Sequence, residues 1–146
     1  MPTIRVRDLD IHYQVTDFTD PWTKPDTVLL HHGFARNLRL WYQWVPLLCR
    51  HFRVLTFDAR GCGGTTIPPA DYRWRLEDLG DDAVALLDAL GIGRVHWGAE
   101  ASGGIVGLDV ALRHPQRIAS LTLCNTPIKL PQSTNDAFKP EEVLRQ

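Results

Sequence analysis

Compact apolar runs that alternate with helical segments constrain the fold of this 146-residue chain more than any other feature of its sequence. The runs VLLHH, FRVLTF, RVHW and IASLTLC are each separated from the next by turns and by segments with helical spacing. Short apolar runs are typical of strands that are buried on both faces, as in parallel sheets with crossover helices. The order therefore predicts an α/β fold, with a mostly parallel sheet, helices on both faces and an N-terminal hairpin over residues 3–16, its strands joined at Asp8–Asp10.

Three segments have the spacing of helices. Residues 40–52 predict a helix in which Pro46 lies in the first turn or at a kink. Residues 102–115 are apolar nearly all round, which predicts a central helix that ends at His114-Pro115. The clearest helix spans residues 76–92 and stops at Gly91, and its apolar face is formed by Leu76, Leu79, Ala83, Leu87 and Leu90.

Composition narrows the function classes. Sixteen basic and seventeen acidic residues give a net charge of −1, which does not favour nucleic acid or a charged membrane surface as a partner. The N-terminus has no signal-peptide pattern and no apolar run is long enough to span a membrane, so we expect a cytoplasmic location. The three cysteines have no metal-binding spacing, and we expect free thiols and no cofactor. Adjacent His31 and His32 would point to opposite faces of a strand, which argues against a metal site.

The chain is expected to form a single domain over residues 1–146. Residues 1–127 contain the predicted strands and helices, and residues 128–146 are a polar tail or the start of a lid. In parallel sheets, ligands bind at the carboxyl ends of the strands. That rule selects four turns as places for chemistry: HHGFARN, DARGCGG, GAEASGG and CNTPIK.

Four motifs in this order resemble the N-terminal portion of α/β-hydrolases of the small esterase, enol-lactonase and cofactor-free haloperoxidase kind. The motifs are the opening hairpin, LLHHGF, TFDARGCGGT and VHWGAEASGGIVGLDVALRHPQRIASLTL, and the resemblance covers residues 1 to 127. It implies that the C-terminal strands and lid of the family are missing here. It also implies an oxyanion hole formed by the N–H groups of Phe34 and Ser102, with His32 and Gly33 shaping the turn beside it.

The family carries its nucleophile at a sharp turn after the fifth strand, and steric room decides where that turn lies. The tip needs small residues two places before and two places after it, because strand and helix cross closely there. Ala101 satisfies this with Ala99 and Gly103, whereas Ser102 would place the long Glu100 in the crowded position. Ala101 is thus predicted at the nucleophile position, and Ser102 is the alternative nucleophile. Three explanations stay open: removal of the serine by engineering, its natural loss, or a turn shifted by one residue.

The partners of a serine nucleophile are also missing. In this fold the acid and then the base follow the nucleophile, but the histidine after Ser102 is His114, about 18 Å along the helix. Asn125 could orient an imidazole without supplying charge. Glu100 could line the pocket or position water, or could be a partly exposed side chain paired with an arginine or water. Truncation explains the missing partners, and it leaves the last strand as an apolar sheet edge that a missing half, a partner chain or a second copy would cover.

The resemblance implies a parent activity of hydrolysing a small carboxylic ester or lactone, and we expect the chain as written to be inactive. The alternative is a relative that binds a small apolar ligand, or acts as a scaffold, without catalysis. Four aromatic side chains would suit an apolar ligand if they face the pocket: Phe34, Trp41, Trp44 and Trp97. All four are also compatible with the core, and the core is the preferred interpretation for Trp41 and Trp44.

Overall fold

The computed structural model describes residues 2–127 and places a six-stranded sheet at their centre. In space the strands follow the order β1-β2-β4-β3-β5-β6. Strands β4, β3, β5 and β6 are parallel, and the hairpin β1–β2 joins β4 in antiparallel orientation. The strands are β1 (Thr3–Val6), β2 (Leu9–Thr16), β3 (Thr27–His31), β4 (Arg53–Phe57), β5 (Val95–Glu100) and β6 (Ile118–Cys124). The predicted α/β fold with a mostly parallel sheet is confirmed.

Helices cover both faces of this sheet. They are α1 (Val45–Leu48), α2 (Leu76–Ala89) and α3 (Ser102–Arg113), and short 3₁₀ segments span Leu38–Trp41 and Pro115–Arg117. Successive residues of β3 point to opposite faces, so Val28 and Leu30 pack against the α1 layer while Leu29 packs in the larger core with α2 and α3. The alternation of sides explains why the three central residues of β3 are all apolar.

Two helix predictions needed correction. The helix expected over residues 40–52 is broken into a 3₁₀ segment and the single turn α1, because Pro46 has no N–H to continue the hydrogen-bond ladder and lies instead in the first turn of α1. Helix α2 forms as predicted and ends before Gly91, which has a φ of 67°. Its buried face differs from the prediction, since Leu76 is 39% exposed and Asp82 is buried.

The hairpin turn also differs from the prediction of Asp8–Asp10. The chain reverses at Arg7 and Asp8, where Arg7 has a φ of 50°. Asp8 there reaches the buried Arg60 guanidinium with two hydrogen bonds of 2.8 Å. Asp82 from α2 binds the same guanidinium, so one buried arginine ties the hairpin to α2. These long-range partners were not visible in the local pattern.

The four parallel strands end at one edge of the sheet. Their last residues are His31, Phe57, Glu100 and Cys124. The turns after them therefore come together at that edge, as the rule for parallel sheets predicts. Strand β6 is the outermost strand on its side within residues 2–127. No helix in the described part of the chain is long and apolar enough to cross a membrane.

Candidate functional site at the carboxyl edge of the sheet

The turn between β5 and α3 has Ala101 at its tip. Ala101 has φ 49° and ψ −121°, a combination that L-residues adopt at a cost of about 1–3 kcal/mol. Its N–H donates to the Cys124 carbonyl at 3.0 Å, and its own carbonyl accepts the Thr126 hydroxyl at 3.1 Å. Hydrogen bonds from the end of β6 and the turn after it thus hold the strained residue in place, and Ser102 begins the next helix.

Gly103 occupies the tightest crossing at this turn. A Cβ on Gly103 would lie 2.5 Å from the His31 carbonyl oxygen and 2.6 Å from that of His32. Ala99, on the other side of the tip, is completely buried. The first turn of α3 therefore passes directly over the end of β3, and a side chain larger than those present would push the two backbones apart.

The two histidines at the end of β3 act on the backbone of the neighbouring turns. His32 donates from Nδ1 to the Gly33 carbonyl at 2.7 Å, and its Nε2 accepts the N–H of Ala59 at 3.0 Å. Both ring nitrogens are thereby used in a neutral tautomer, and burial lowers the pKa of His32. His31 is buried against Phe57 and Trp97, and burial, followed by the nearby His32, lowers its pKa to about 3. Burial therefore favours the neutral form of both rings.

Glu100 has a partner that neither sequence hypothesis anticipated. Its Oε2 accepts the backbone N–H of Gly33 at 3.0 Å, and the side chain is half-buried. A side chain at Gly33 would collide with this carboxylate. The contact joins the turn after β3 to the residue before the tip, so two of the predicted site turns are linked directly. A role for Glu100 in lining a pocket or positioning water remains a prediction.

The remaining predicted site residues lie at the same edge. Phe34 comes directly after Gly33 and is 43% exposed, while Ser102 is half-buried at the start of α3. Among residues 2–127, neither the Phe34 N–H nor the Ser102 N–H donates to another protein atom. Asn125 is exposed in the turn after β6, with a φ of 51°. The roles assigned to these residues remain predictions.

The predicted aromatic lining is mostly absent from this edge. Trp97 is fully buried and stacks on His31 in the core, and Trp41 is only 4% exposed beneath the α1 layer. Trp44 packs edge-on against Trp41 but keeps 48% of its surface exposed, so the core interpretation fits Trp41 better than Trp44. Of the four aromatics, Phe34 alone lies in a turn directly after a strand end at this edge. Trp97 points into the core because successive residues of β5 alternate between the two faces of the sheet. The sequence alone did not indicate which of those faces packs against the larger core.

His12 and Asp58 form a largely buried pair that the sequence analysis missed. His12 lies on β2 and Asp58 follows β4, and His12 Nδ1 is 2.7 Å from Asp58 Oδ2. The same carboxylate accepts the N–H groups of Leu38 at 2.6 Å and Gly64 at 2.8 Å. Together they border a cleft of about 170 Å³. The register of β2 against β4 creates the pair, and that pairing has no local signal in the sequence.

Metal ligands are not assembled in the described part of the chain. No group of three or more His, Cys, Asp or Glu side chains within residues 2–127 is placed to hold an ion. Cys49, Cys62 and Cys124 are all free thiols. Burial raises the pKa of Cys62, which makes that thiol less reactive than an ordinary one.

Comparisons with known proteins agree on one family. A sequence profile described as the alpha/beta hydrolase fold matches residues 26–145. A protein of Pantoea ananatis named "Putative carbamate hydrolase RutD" is 38% identical over 114 residues, which are 77% of this chain and 41% of that protein. The crystal structure of a hydrolase from Pseudomonas aeruginosa PA01 is similar, with a TM-score of 0.85 and 34% identity, over 99% of this chain and 52% of that one.

A second solved structure extends the similarity. The enol-lactonase from Burkholderia xenovorans LB400 has a TM-score of 0.80 and 28% identity, and the match covers 98% of this chain and 56% of the lactonase. The chain therefore spans about half the length of the relatives it matches. The predicted resemblance to the N-terminal portion of this family is confirmed.

Proposed function

The chain belongs to the α/β-hydrolase fold family, and on that premise we propose that its parent activity is hydrolysis of a small carboxylic ester or lactone, with no turnover by the chain as written. The neighbouring proteins named as a carbamate hydrolase and an enol-lactonase support this substrate class. Carbamates, esters and lactones share a carbonyl carbon bonded to an oxygen or nitrogen leaving group. The proposed site acts on that carbon.

The observation that carries this proposal is the residue at the tip of the β5–α3 turn. The strained position with φ 49° is occupied by Ala101, whose methyl group cannot attack a carbonyl. A hydrolase of this type needs a nucleophile there, activated by a base and oriented by an acid. Ser102 is displaced by one residue onto α3, so we assign its N–H, and not its hydroxyl, to the site.

Two backbone N–H groups would stabilise the developing oxyanion. We assign this role to Phe34 and Ser102, because each lies beside the tip and neither donates to another atom within residues 2–127. Glu100 supports the arrangement by engaging the N–H of Gly33, the residue before Phe34. In a working enzyme, loss of one such donor costs roughly 3–4 kcal/mol of transition-state stabilisation.

The general base and acid are not assigned to residues of this chain. The histidine after the tip is His114, which caps the far end of α3, about 18 Å along the helix axis. Asn125 comes after β6 at the right edge but carries no charge to stabilise an imidazolium ion. We propose that the acid and base of the parent enzyme belong to the half of the relatives' length that this chain does not span.

Binding without catalysis is the second candidate function. Ala101 favours it, because a strained tip is retained although it has no nucleophile. In this case the same edge of the sheet binds a small apolar ester-like or lactone-like ligand and releases it unchanged. The two candidates give different outcomes once a hydroxyl is restored at the tip.

The test compares the chain with its Ala101→Ser variant, each also extended to full family length, using p-nitrophenyl acetate and a phosphonate probe with mass mapping. We expect no turnover and no label with Ala101, and both turnover and a label on residue 101 in the extended Ala101→Ser protein. The Ser102→Ala variant is the matched control and should leave that restored activity in place. A phosphonate label on Ser102 of the unaltered chain would overturn the assignment, and a silent Ala101→Ser protein would favour the binding function.

A further inference from the structure

A long stretch of this chain carries positive charge without any acidic residue. Between Asp26 and Asp58 the sequence contains no Asp or Glu, yet it contains four arginines. The acid-free stretch includes β3, the first 3₁₀ segment, α1 and β4. The net charge of −1 for the whole chain hides this local excess, because the balancing carboxylates lie elsewhere.

The helical part of this stretch has two sharply different sides. Trp41, Val45, Leu48 and Cys49 face inward and pack on Val28, Leu30 and Val54 of the sheet. Their spacing of three or four residues places the residues between them on the opposite side. We call that side the outer face, and it consists of six exposed residues: Arg39, Tyr42, Gln43, Pro46, Leu47 and Arg50.

Apolar side chains lie at the centre of the outer face and arginines lie at its ends. Tyr42 is 71% exposed and Leu47 is 73% exposed. Arg39 and Arg50 stand about 16–20 Å apart along the helical path, one before and one after these two residues. Within residues 2–127, neither arginine side chain forms a salt bridge or donates a side-chain hydrogen bond. Both charges are therefore unpaired within the part of the chain that the structure describes.

We propose that the outer face docks on an anionic lipid surface. Exposed Tyr and Leu residues flanked by unpaired arginines are the composition of helices that lie in a membrane interface. Tyrosine suits that depth because its ring is apolar and its hydroxyl remains hydrated. The arginines add attraction to lipid phosphates and acidic headgroups. This proposal goes beyond the proposed function and departs from the expectation, based on net charge, that the protein has no membrane partner.

Charge argues against a second copy of this chain as the occupant of the outer face. A second copy would bring Arg39 and Arg50 against the same residues, and like charges would repel. An acidic protein would also satisfy the arginines, and binding to soluble polyglutamate tests for it. An anionic lipid surface satisfies the arginines and also takes up the exposed Tyr42 and Leu47 side chains, because interfacial binding combines apolar burial with attraction to anionic lipids.

The experiment is co-sedimentation of the 146-residue chain with vesicles. One set contains equal parts of phosphatidylglycerol and phosphatidylcholine, and the other contains phosphatidylcholine alone. We expect binding to the anionic vesicles at low salt and much less at about 0.5 M NaCl, where the screening length is only a few ångströms. Each arginine near an anionic surface contributes about a fivefold gain in binding, so Arg39→Gln with Arg50→Gln should weaken binding about 25-fold.

Matched variants test whether vesicle binding depends on the outer face or is nonspecific adsorption. Leu47→Ser should weaken binding about tenfold, since one large apolar side chain no longer enters the interface. Leu112 is 83% exposed on α3, on the other side of the sheet, and Leu112→Ser should have no effect. Arg5→Gln is the corresponding charge control on β1. Circular dichroism of each variant checks that the fold is kept.

Three results would overturn the proposal. The first is absence of sedimentation with anionic vesicles, and the second is equal binding to both vesicle types. The third is binding that Arg39→Gln, Arg50→Gln and Leu47→Ser leave unchanged. Binding to soluble polyglutamate without binding to vesicles would also reject the lipid partner and assign the outer face to an acidic protein instead.

Discussion

Replacing Ala101 by glycine should stabilise the protein, although glycine usually destabilises folded chains. Ala101 has φ 49° and ψ −121°, a conformation that strains an alanine by about 1–3 kcal/mol and that a glycine adopts without strain. Against this gain stands the larger conformational entropy of glycine in the unfolded chain, about 0.5–1 kcal/mol. The difference predicts that Ala101→Gly raises the free energy of unfolding by up to about 2.5 kcal/mol.

Urea denaturation monitored by circular dichroism measures this change. The midpoint should move to higher urea concentration with an unchanged slope, because the surface exposed on unfolding stays the same. Two neighbours serve as matched controls. Ala111→Gly lies inside α3 and Ser102→Gly lies at its first residue, and both should lower the free energy of unfolding, by up to about 1 kcal/mol.

The signs of these three changes test the location of the turn. If Ser102→Gly stabilises the protein while Ala101→Gly destabilises it, the strained tip lies at residue 102. Ser102 would then be the candidate nucleophile, and the proposal of an inactive chain would fail at its central step. Lowered stability in all three variants would show that no strain is stored at the tip.

Three further measurements test the packing around the site. Gly103→Ala should lower the free energy of unfolding by about 3 kcal/mol or more, since its Cβ would lie 2.5 Å from a carbonyl oxygen. Gly93→Ala, with open space around it, should change the free energy of unfolding by less than about 1 kcal/mol, and equal effects of the two variants in urea denaturation would contradict the tight crossing. Asp82→Asn should cost about 3–5 kcal/mol, because within residues 2–127 it leaves the buried guanidinium of Arg60 with the exposed Asp8 as its one carboxylate partner. A loss below about 1 kcal/mol in urea denaturation would show that the pair is dispensable. Burial lowers the pKa of His31 to about 3, so the unfolded chain binds the extra proton and stability should fall as the pH drops from about 6.5 towards 3. In His31→Asn the change of unfolding free energy with pH should be shallower by up to about 1.4 kcal/mol per pH unit. An unchanged pH dependence in unfolding experiments at several pH values would contradict this prediction.

The sequence predicted the fold because its signals are local. Apolar runs, helical spacing and the stop at Gly91 depend on neighbours within a few residues. They were sufficient to predict the strands in their order along the chain and the helices α2 and α3. The glycines and alanines around Ala101 also predicted where β5 gives way to α3. Pro46 limited the first helix more severely than its apolar spacing suggested, since a single missing N–H interrupts a short helix.

Contacts between distant segments could be known only from the tertiary structure. The pairing of β2 with β4 brings His12 to Asp58, and the hairpin turn brings Asp8 to Arg60, across separations that no local pattern encodes. The bond from Gly33 to Glu100 likewise depends on β3 and β5 being neighbours. The sequence by itself determined which segments become strands, helices and sharp turns, because backbone propensity and apolar periodicity act locally. Tertiary structure alone decided which polar groups meet, because each buried donor or acceptor needs a partner and the sheet order selects it.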